Sequence, residues 1–459
     1  MKQYCEMAAV PTEWLYALPA HWDCKKIGSL FSERKTKVSD KDYAPLSVAK
    51  IGVVPQLETA VKTDAGDNRK LVCAGDFVIN SRSDRKGSCG VADRDGSVSL
   101  INIVLTPRNE WNGRYVHYLM RSQPFSEEYY RYGRGIVSDL WTTRFSEMKS
   151  ILLPVPPREE QDQIVRFLDW KVSIINKLIL TKRKQINILE EQEKRFISDV
   201  VLHGLHNLPL RDSGNRWVGD IPQNWNIIKL GKFCSFQNGI SESGEFFTSG
   251  TPFVGYGDVY RHLELPETVR GVAQSNKQQQ EVFSVHEGDI FFTRTSENIE
   301  EVGMAAVCKH TIEKAVFSGF VIRCRPRVTL VDIDYMKYYL QIPAIRNHFS
   351  SMMDIVIRAS LGQNLLKQMP VVIPPMDEQK EIATYLDRQH SKYIVLIETI
   401  QEEIKALDEL KTRLIADAVT GKIDVRDIEV PDFEYVQETG DSSDEDNKNM
   451  GDASEDGEE

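Results

Sequence analysis

Leu153-Pro-Val-Pro-Pro-Arg-Glu-Glu-Gln161 returns as Val371-Val-Ile-Pro-Pro-Met-Asp-Glu-Gln379, 218 residues further along the chain. From there the offset holds without a gap. Ile164, Leu168, Asp169, Ile197, Asp199 and Val201 recur as Ile382, Leu386, Asp387, Ile415, Asp417 and Val419. A proline pair followed by acidic residues suits a helix start, where proline forfeits no hydrogen bond and carboxylates meet the positive end of the helix dipole. Beyond it, apolar residues fall at alternating steps of four and three: Leu168, Val172, Ile175, Ile179, Ile186, Leu189, Phe196. The copy gives Leu386, Tyr393, Ile397, Ile400, Ile404, Leu407, Leu414. A 3.5-residue period over roughly five heptads marks a coiled-coil seam, and such a helix makes a rod of about 65 Å. Lys182, Glu193, His390 and Lys411 interrupt the seam. Register control, or ends reaching for solvent, accounts for them. Two such helices in one chain pack most simply on each other, and the intervening domain makes antiparallel pairing feasible.

Upstream of each proline pair the repeat loosens. Ala17-Leu-Pro-Ala-His-Trp22 matches Asp220-Ile-Pro-Gln-Asn-Trp225 at an offset of 203, and Trp14 matches Trp217. Gly75-Asp-Phe77 matches Gly288-Asp-Ile290 at 213. One part of the unit is fixed in geometry while the other is free to differ, as a shared scaffold with two different binding surfaces would be. The loose parts read as mixed α/β. Strand-like runs occur at Phe77–Ile79, Ile101–Leu105, Ile290–Phe292 and Phe320–Ile322, and helical stretches at Val116–Arg121 and Tyr335–Leu340, with Asp95-Gly96 and Asn238-Gly239 as breakers. The expected fold is therefore α+β. Mixed domains at 1–157 and 205–375 are joined by helices at 158–204 and 376–426, and an acidic disordered tail spans 427–459. The recurring tryptophans have two readings, base stacking or packing at the domain edge, and packing is favoured.

A chain of 459 residues is too long for one ordinary core. With 41% hydrophobic and 27% charged residues it reads as soluble protein, and no apolar run is long enough to span a membrane. Met1 to Val10 does not read as a signal peptide. The cysteines at 5, 24, 73, 89, 234, 308 and 324 form neither a CxxC pair nor a zinc pattern, which fits a reducing cytoplasm. The net charge of −11 is misleading. Residues 427–459 hold 14 acidic residues and one lysine, so the rest of the chain carries +2. The tail either confers solubility or mimics nucleic acid and competes for basic surface.

These features together resemble the specificity subunits (HsdS) of type I restriction-modification systems. The residues carrying the resemblance are Arg211-Asp-Ser-Gly-Asn-Arg-Trp-Val-Gly-Asp-Ile-Pro-Gln-Asn-Trp225, the two Pro-Pro-x-x-Glu-Gln junctions at 156–161 and 374–379, and Ala418-Val-Thr-Gly-Lys-Ile-Asp-Val-Arg426. The first copy departs from the pattern, with Tyr16-Ala17 where the second has Gly219-Asp220. The resemblance implies two target recognition domains, each reading one half of a split sequence in double-stranded DNA, on a central antiparallel coil. It also implies that the coil docks two modification (adenine-N6 methyltransferase) subunits, which bring S-adenosylmethionine, and that restriction subunits join them.

Readout needs Arg, Lys, Asn or Gln at base edges, with basic and hydroxyl groups on phosphates. The candidates in the first domain are Arg82, Arg85 and Lys86 after a predicted strand, joined by Arg134 and Arg144. Those in the second are Arg294, Arg358, Gln363 and Asn364. The chain has no Walker A motif, no complete dinucleotide fingerprint and no Asn-Pro-Pro-aromatic run. No nucleophile stands beside a base, and no carboxylate set resembles a nuclease centre. We expect a non-catalytic subunit with no cofactor of its own. The rival reading is a coiled-coil scaffold or decoy that has lost DNA readout.

Overall fold

The computed structural model describes residues 2–56, 66–82, 85–108, 111–135, 141–242, 244–296, 302–350 and 359–437. It divides into two units, Met1–Arg183 with Gln401–Glu459, and Lys184–Ile400. Two long helices, Arg158–His203 and Met376–Val419, each contribute one half to each unit. The second helix stops short of 426 because the chain turns at Gly421, whose φ of +71° an L side chain rarely adopts.

In the first unit, strand β1 (Asp23–Lys26) pairs with the strand that leads into the first long helix, Leu152–Val155. A four-stranded antiparallel sheet follows the order β2 (Phe31–Glu33), β5 (Asn102–Pro107), β3 (Phe77–Asn80), β4 (Cys89–Val91). We call Leu152–Val155 β6. The second unit repeats this plan. Strand β7 (Asn226–Lys229) pairs with β12 (Pro370–Ile373), and the sheet runs β8 (Cys234–Asn238), β11 (Val321–Pro326), β9 (Ile290–Thr293), β10 (Ala305–Val307). The central strands are apolar on both faces because each face meets a different core. Phe77 and Ile79 enter one cluster and Val78 another; Ile290 and Phe292 enter one and Phe291 another. The units diverge in a second sheet. Lys37–Val38, Arg69–Val72 and Gly96–Val98 are all antiparallel, whereas Thr251–Val254 pairs parallel with Val316–Phe317.

The Gly-Asp repeat has a local cause. Gly75 and Gly288 sit at φ +91° and +86°, turning the chain into β3 and β9. The aspartates that follow are buried and paired. Asp76 accepts from the Cys73 N–H at 2.8 Å and from Arg34 Nε at 2.7 Å. Asp289 accepts from the His286 N–H at 2.8 Å and from Arg325 Nε at 2.6 Å.

The Pro-Pro-x-x-Glu-Gln repeat acts as a clasp between domain and helix. Helices α1 (Gly113–Arg121) and α2 (Ile333–Tyr339) are capped by Asn112 and Asp332, whose side chains accept from the first free N–H groups. Gln161 donates to the Pro156 carbonyl at 2.9 Å and accepts from the Asn112 N–H at 3.0 Å. Gln379 donates to the Pro374 and Leu330 carbonyls at 2.9 and 3.1 Å and accepts from the Asp332 N–H at 2.7 Å. Tyr118 donates to Asp169 and Tyr338 to Asp387, each at 2.7 Å. Tyr115 reaches the Val419 carbonyl and Tyr335 the Val201 carbonyl, both at 3.2 Å. The recurring tryptophans belong to the same junction. Trp22 and Trp225 are buried, and Trp14 and Trp217 pack against the same clusters.

Within the first unit, contacts between the helix halves run in opposite senses: Lys182 meets Glu403, while Gln163 meets the Val425 and Ile428 carbonyls beyond the second helix. Within the second unit, His390 meets Glu193 at 2.6 Å and Tyr385 packs on Phe196. The two polar interruptions Glu193 and His390 thus answer each other. Leu168, Ile175, Ile179 and Leu414 are buried. Val172, Ile186, Leu189, Phe196, Tyr393, Ile397, Ile400, Ile404 and Leu407 are half-buried, while apolar residues off the seam, such as Ile188 and Val395, are exposed.

The acidic segment does not leave the body at 427. Val436 accepts from Asn176 Nδ2 at 3.0 Å, and its N–H donates to Ser173 Oγ at 3.1 Å. Tyr435 lies on the Arg114 guanidinium, 4.9 Å from its carbon. Residues 438–459 of the expected tail lie outside the described residues.

Candidate nucleic-acid interface

In the first unit, three segments converge at the end of β3. The Thr143 N–H donates to the Ser81 carbonyl at 3.0 Å, and Thr142 bridges to both Arg82 and Arg134. Tyr129 secures the junction from below, donating to the Thr143 carbonyl at 3.1 Å. Asn80, buried, accepts from the Arg82 N–H at 3.0 Å and fixes the start of the loop. Lys86 stands over the Tyr130 ring at 5.4 Å. Arg144 opens the short helix Phe145–Met148. Arg82, Arg85, Lys86, Arg134 and Arg144 are all exposed and lie on these joined segments. Among the described residues, Arg82, Arg134 and Arg144 form no ion pair. Trp141, 38% exposed, adds an aromatic face beside Thr142. Neighbouring Arg131 differs: Glu128 and Glu13 neutralise it. An edge of cations with an aromatic face suits a phosphate backbone and unstacked or grooved bases.

The second unit builds the same junction from other residues. The Leu361 N–H donates to the Arg294 carbonyl at 2.7 Å, where the first unit has Thr143 on Ser81. Thr295–Ser296 then pairs with Ala359–Ser360. Arg294 is half-buried, its guanidinium 3.5 Å from the Gly319 carbonyl. Gln363 donates to Asn238 Oδ1 at 3.0 Å, and Asn364 beside it is exposed. Both open the helix Gln363–Gln368, the counterpart of Phe145–Met148. Arg294, Gln363 and Asn364 are therefore brought to one edge; Arg358 lies outside the described residues.

Four residues at these junctions carry no signal of their role in the sequence. Asn238 was legible only as part of a turn. Tyr130 carries no motif. Ile101 and Phe320 extend apolar runs that read as strands, yet β5 and β11 begin one residue later and both side chains are exposed.

On α2, Lys337 is buried between Asp387 at 2.7 Å and Glu264 at 2.6 Å. Burial opposes its charge, but the two carboxylates hold its pKa above the ordinary lysine range. Burial likewise opposes the Asp387 charge, while Lys337 and Tyr338 hold that carboxyl below the usual range. Through Lys337 and Tyr338 the network fixes α2 to the second long helix. Among the described residues there is no cluster of three His, Cys, Asp or Glu that could hold a metal, and no helix long and apolar enough to cross a membrane.

Comparison with known proteins agrees with this geometry. A family model described as "Type I restriction modification DNA specificity domain" matches residues 222–406. The MjaVIII specificity subunit of a Methanocaldococcus jannaschii type I restriction enzyme is 23% identical over 286 residues, 61% of this chain and 64% of that one. The Escherichia coli EcoKI specificity subunit is 22% identical over 282 residues, 60% of this chain and 58% of that one. The matched stretches thus span less than two thirds of either relative. A chain from a solved structure on complex assembly and conformational transition of the type I R-M system aligns with a TM-score of 0.64 at 16% identity, over 90% of this chain and all of that one. The family match thus covers most of the second domain and the first part of the helix after it, and the first domain repeats the second's sheet order and its clasp.

Proposed function

We propose that this chain is the DNA-reading specificity subunit of a type I restriction-modification complex. Residues 1–157 and 205–375 are its two target recognition domains. Each reads one half of a split, asymmetric site in double-stranded DNA. Helices 158–204 and 376–426 form an antiparallel coiled coil that spaces the readers and docks two methyltransferase subunits, with restriction subunits joining the complex. The chain works in the cytoplasm and performs no chemistry itself; S-adenosylmethionine arrives with its partners. One observation carries this reading: two domains of different surface are clasped to the helices by the same glutamine, and each presents a polar or basic loop at the same junction. Half-sites about one helical turn apart need readers held at fixed separation. Arg82, Arg85, Lys86, Arg134 and Arg144 serve the first half-site, and Arg294, Arg358, Gln363 and Asn364 the second.

The test is modular. Residues 205–375 are replaced by the corresponding domain of another subunit and the methylated motif is mapped. One half of the motif should change and the other remain. A change in both halves sinks the assignment of independent readers.

A further inference from the structure

In each unit the residue before the six-residue core strand is a large apolar side chain left in solvent. Ile101 precedes β5 and is 42% exposed; Phe320 precedes β11 and is 62% exposed. The residues that follow, Asn102 and Val321, are already buried. Single exposed apolar residues are ordinary on a protein surface. A matched pair is not, because the two domains differ in most residues and in their second sheet.

The backbone fixes both positions the same way. The Ile101 carbonyl accepts from the Ser81 N–H at 3.3 Å, and the Phe320 carbonyl from the Arg294 N–H at 2.9 Å. Ser81 and Arg294 are the first residues after β3 and β9, where the two DNA-facing loops begin. Each apolar side chain is therefore one hydrogen bond from the loop that carries Arg82, or from Arg294 itself. The turn beneath Phe320 is braced. The Gly319 N–H donates to the Ile240 carbonyl at 2.7 Å, a Cβ on Gly319 would collide with Ser241, and the Phe320 N–H reaches Ser318 Oγ at 3.2 Å. A ring on a braced turn loses little further entropy on contact.

We propose that Phe320, with Ile101 at the equivalent position, is a specificity-determining residue that packs its apolar surface on the bases of its own half-site. This rests on the DNA-reading assignment above. Apolar contact with base edges discriminates among bases without touching phosphate, so it complements the cations around it.

The complex with its modification subunits is titrated with duplex carrying its methylated motif, across a salt series, for wild type, F320A, F320L and I101A. F320A should weaken binding roughly tenfold and leave the slope of log K against log salt unchanged, since no phosphate contact is lost. It should relax the motif only in the half read by the second domain, and I101A only in the other half. F320L should keep most of the affinity. Wild-type affinity and motif in F320A overturn the proposal, as does a loss spread over both halves. So does a changed salt slope. A wild-type complex without sequence preference overturns the DNA-reading assignment instead, which keeps the two failures apart.

Discussion

Replacing Gln379 with Ala removes one buried side chain and three hydrogen bonds at once. The amide donates to the Pro374 and Leu330 carbonyls and accepts from the Asp332 N–H. Gln379 is 1% exposed, so solvent does not take over these partners. A neutral hydrogen bond contributes about 1 kcal/mol net, and a buried partner left unmade costs about 1–3 kcal/mol. The Q379A loss is then about 3–5 kcal/mol, confined to the second unit. Gln161, with two such bonds, gives about 2–3 kcal/mol by the same reasoning, in the first unit. Amide hydrogen exchange separates them. In Q379A the start of α2 near Asp332 should exchange faster while the start of α1 near Asn112 is unchanged, and Q161A should reverse the pattern. Loss of protection below about 0.5 kcal/mol in Q379A, or equal loss in both units, would refute the clasp as the domain-to-helix lock.

Three further outcomes follow from the same contacts. Arg294→Ala should weaken only the second half-site, by about 1–3 kcal/mol if the guanidinium meets a base, or with a salt slope reduced by about one if it meets phosphate; duplex titration at several salt concentrations decides, and unaltered binding removes Arg294 from the interface. Burial, reinforced by Arg121 and Arg114, pushes the His117 pKa down to about 3. The unfolded chain then takes up a proton below pH about 6.5 that the folded unit refuses, so stability is full above that pH and falls by at most about 1.4 kcal/mol per pH unit down to about 3. Urea midpoints at pH 7 and pH 5 should converge in His117→Asn, and an equal drop in both proteins contradicts this. Truncation after Arg426 frees Ser173, Asn176 and Arg114 from Val436 and Tyr435; amides of the first long helix near 173–177 should lose protection while the second unit stays unchanged.

The long helices and the duplicated plan were legible because gapless offsets and a 3.5-residue period survive in any context. The Pro-Pro-x-x-Glu-Gln motif was legible as a helix start. Its glutamine was not legible as a clasp, because the N–H groups it holds, those of Asn112 and Asp332, lie some 50 residues upstream. Glu193 and His390 read as separate interruptions; only the fold brings them together across 197 residues. Composition merged 427–437 with the acid-rich residues beyond, yet Ser173 and Asn176 give that strap partners that charge counting does not register. Ile101 and Phe320 were read into strands because an apolar residue beside an apolar run extends the run. In the structure the strands begin one residue later, which leaves both side chains beside the loops that carry the candidate DNA contacts.

Whether this chain selects a split DNA sequence for its partners is decided by a genome-wide map of N6-methyladenine. The host carries the neighbouring modification subunit, with and without this chain. A split, asymmetric motif should appear only when the chain is present. A folded complex that adds no methylation would contradict it and leave a scaffold without DNA readout.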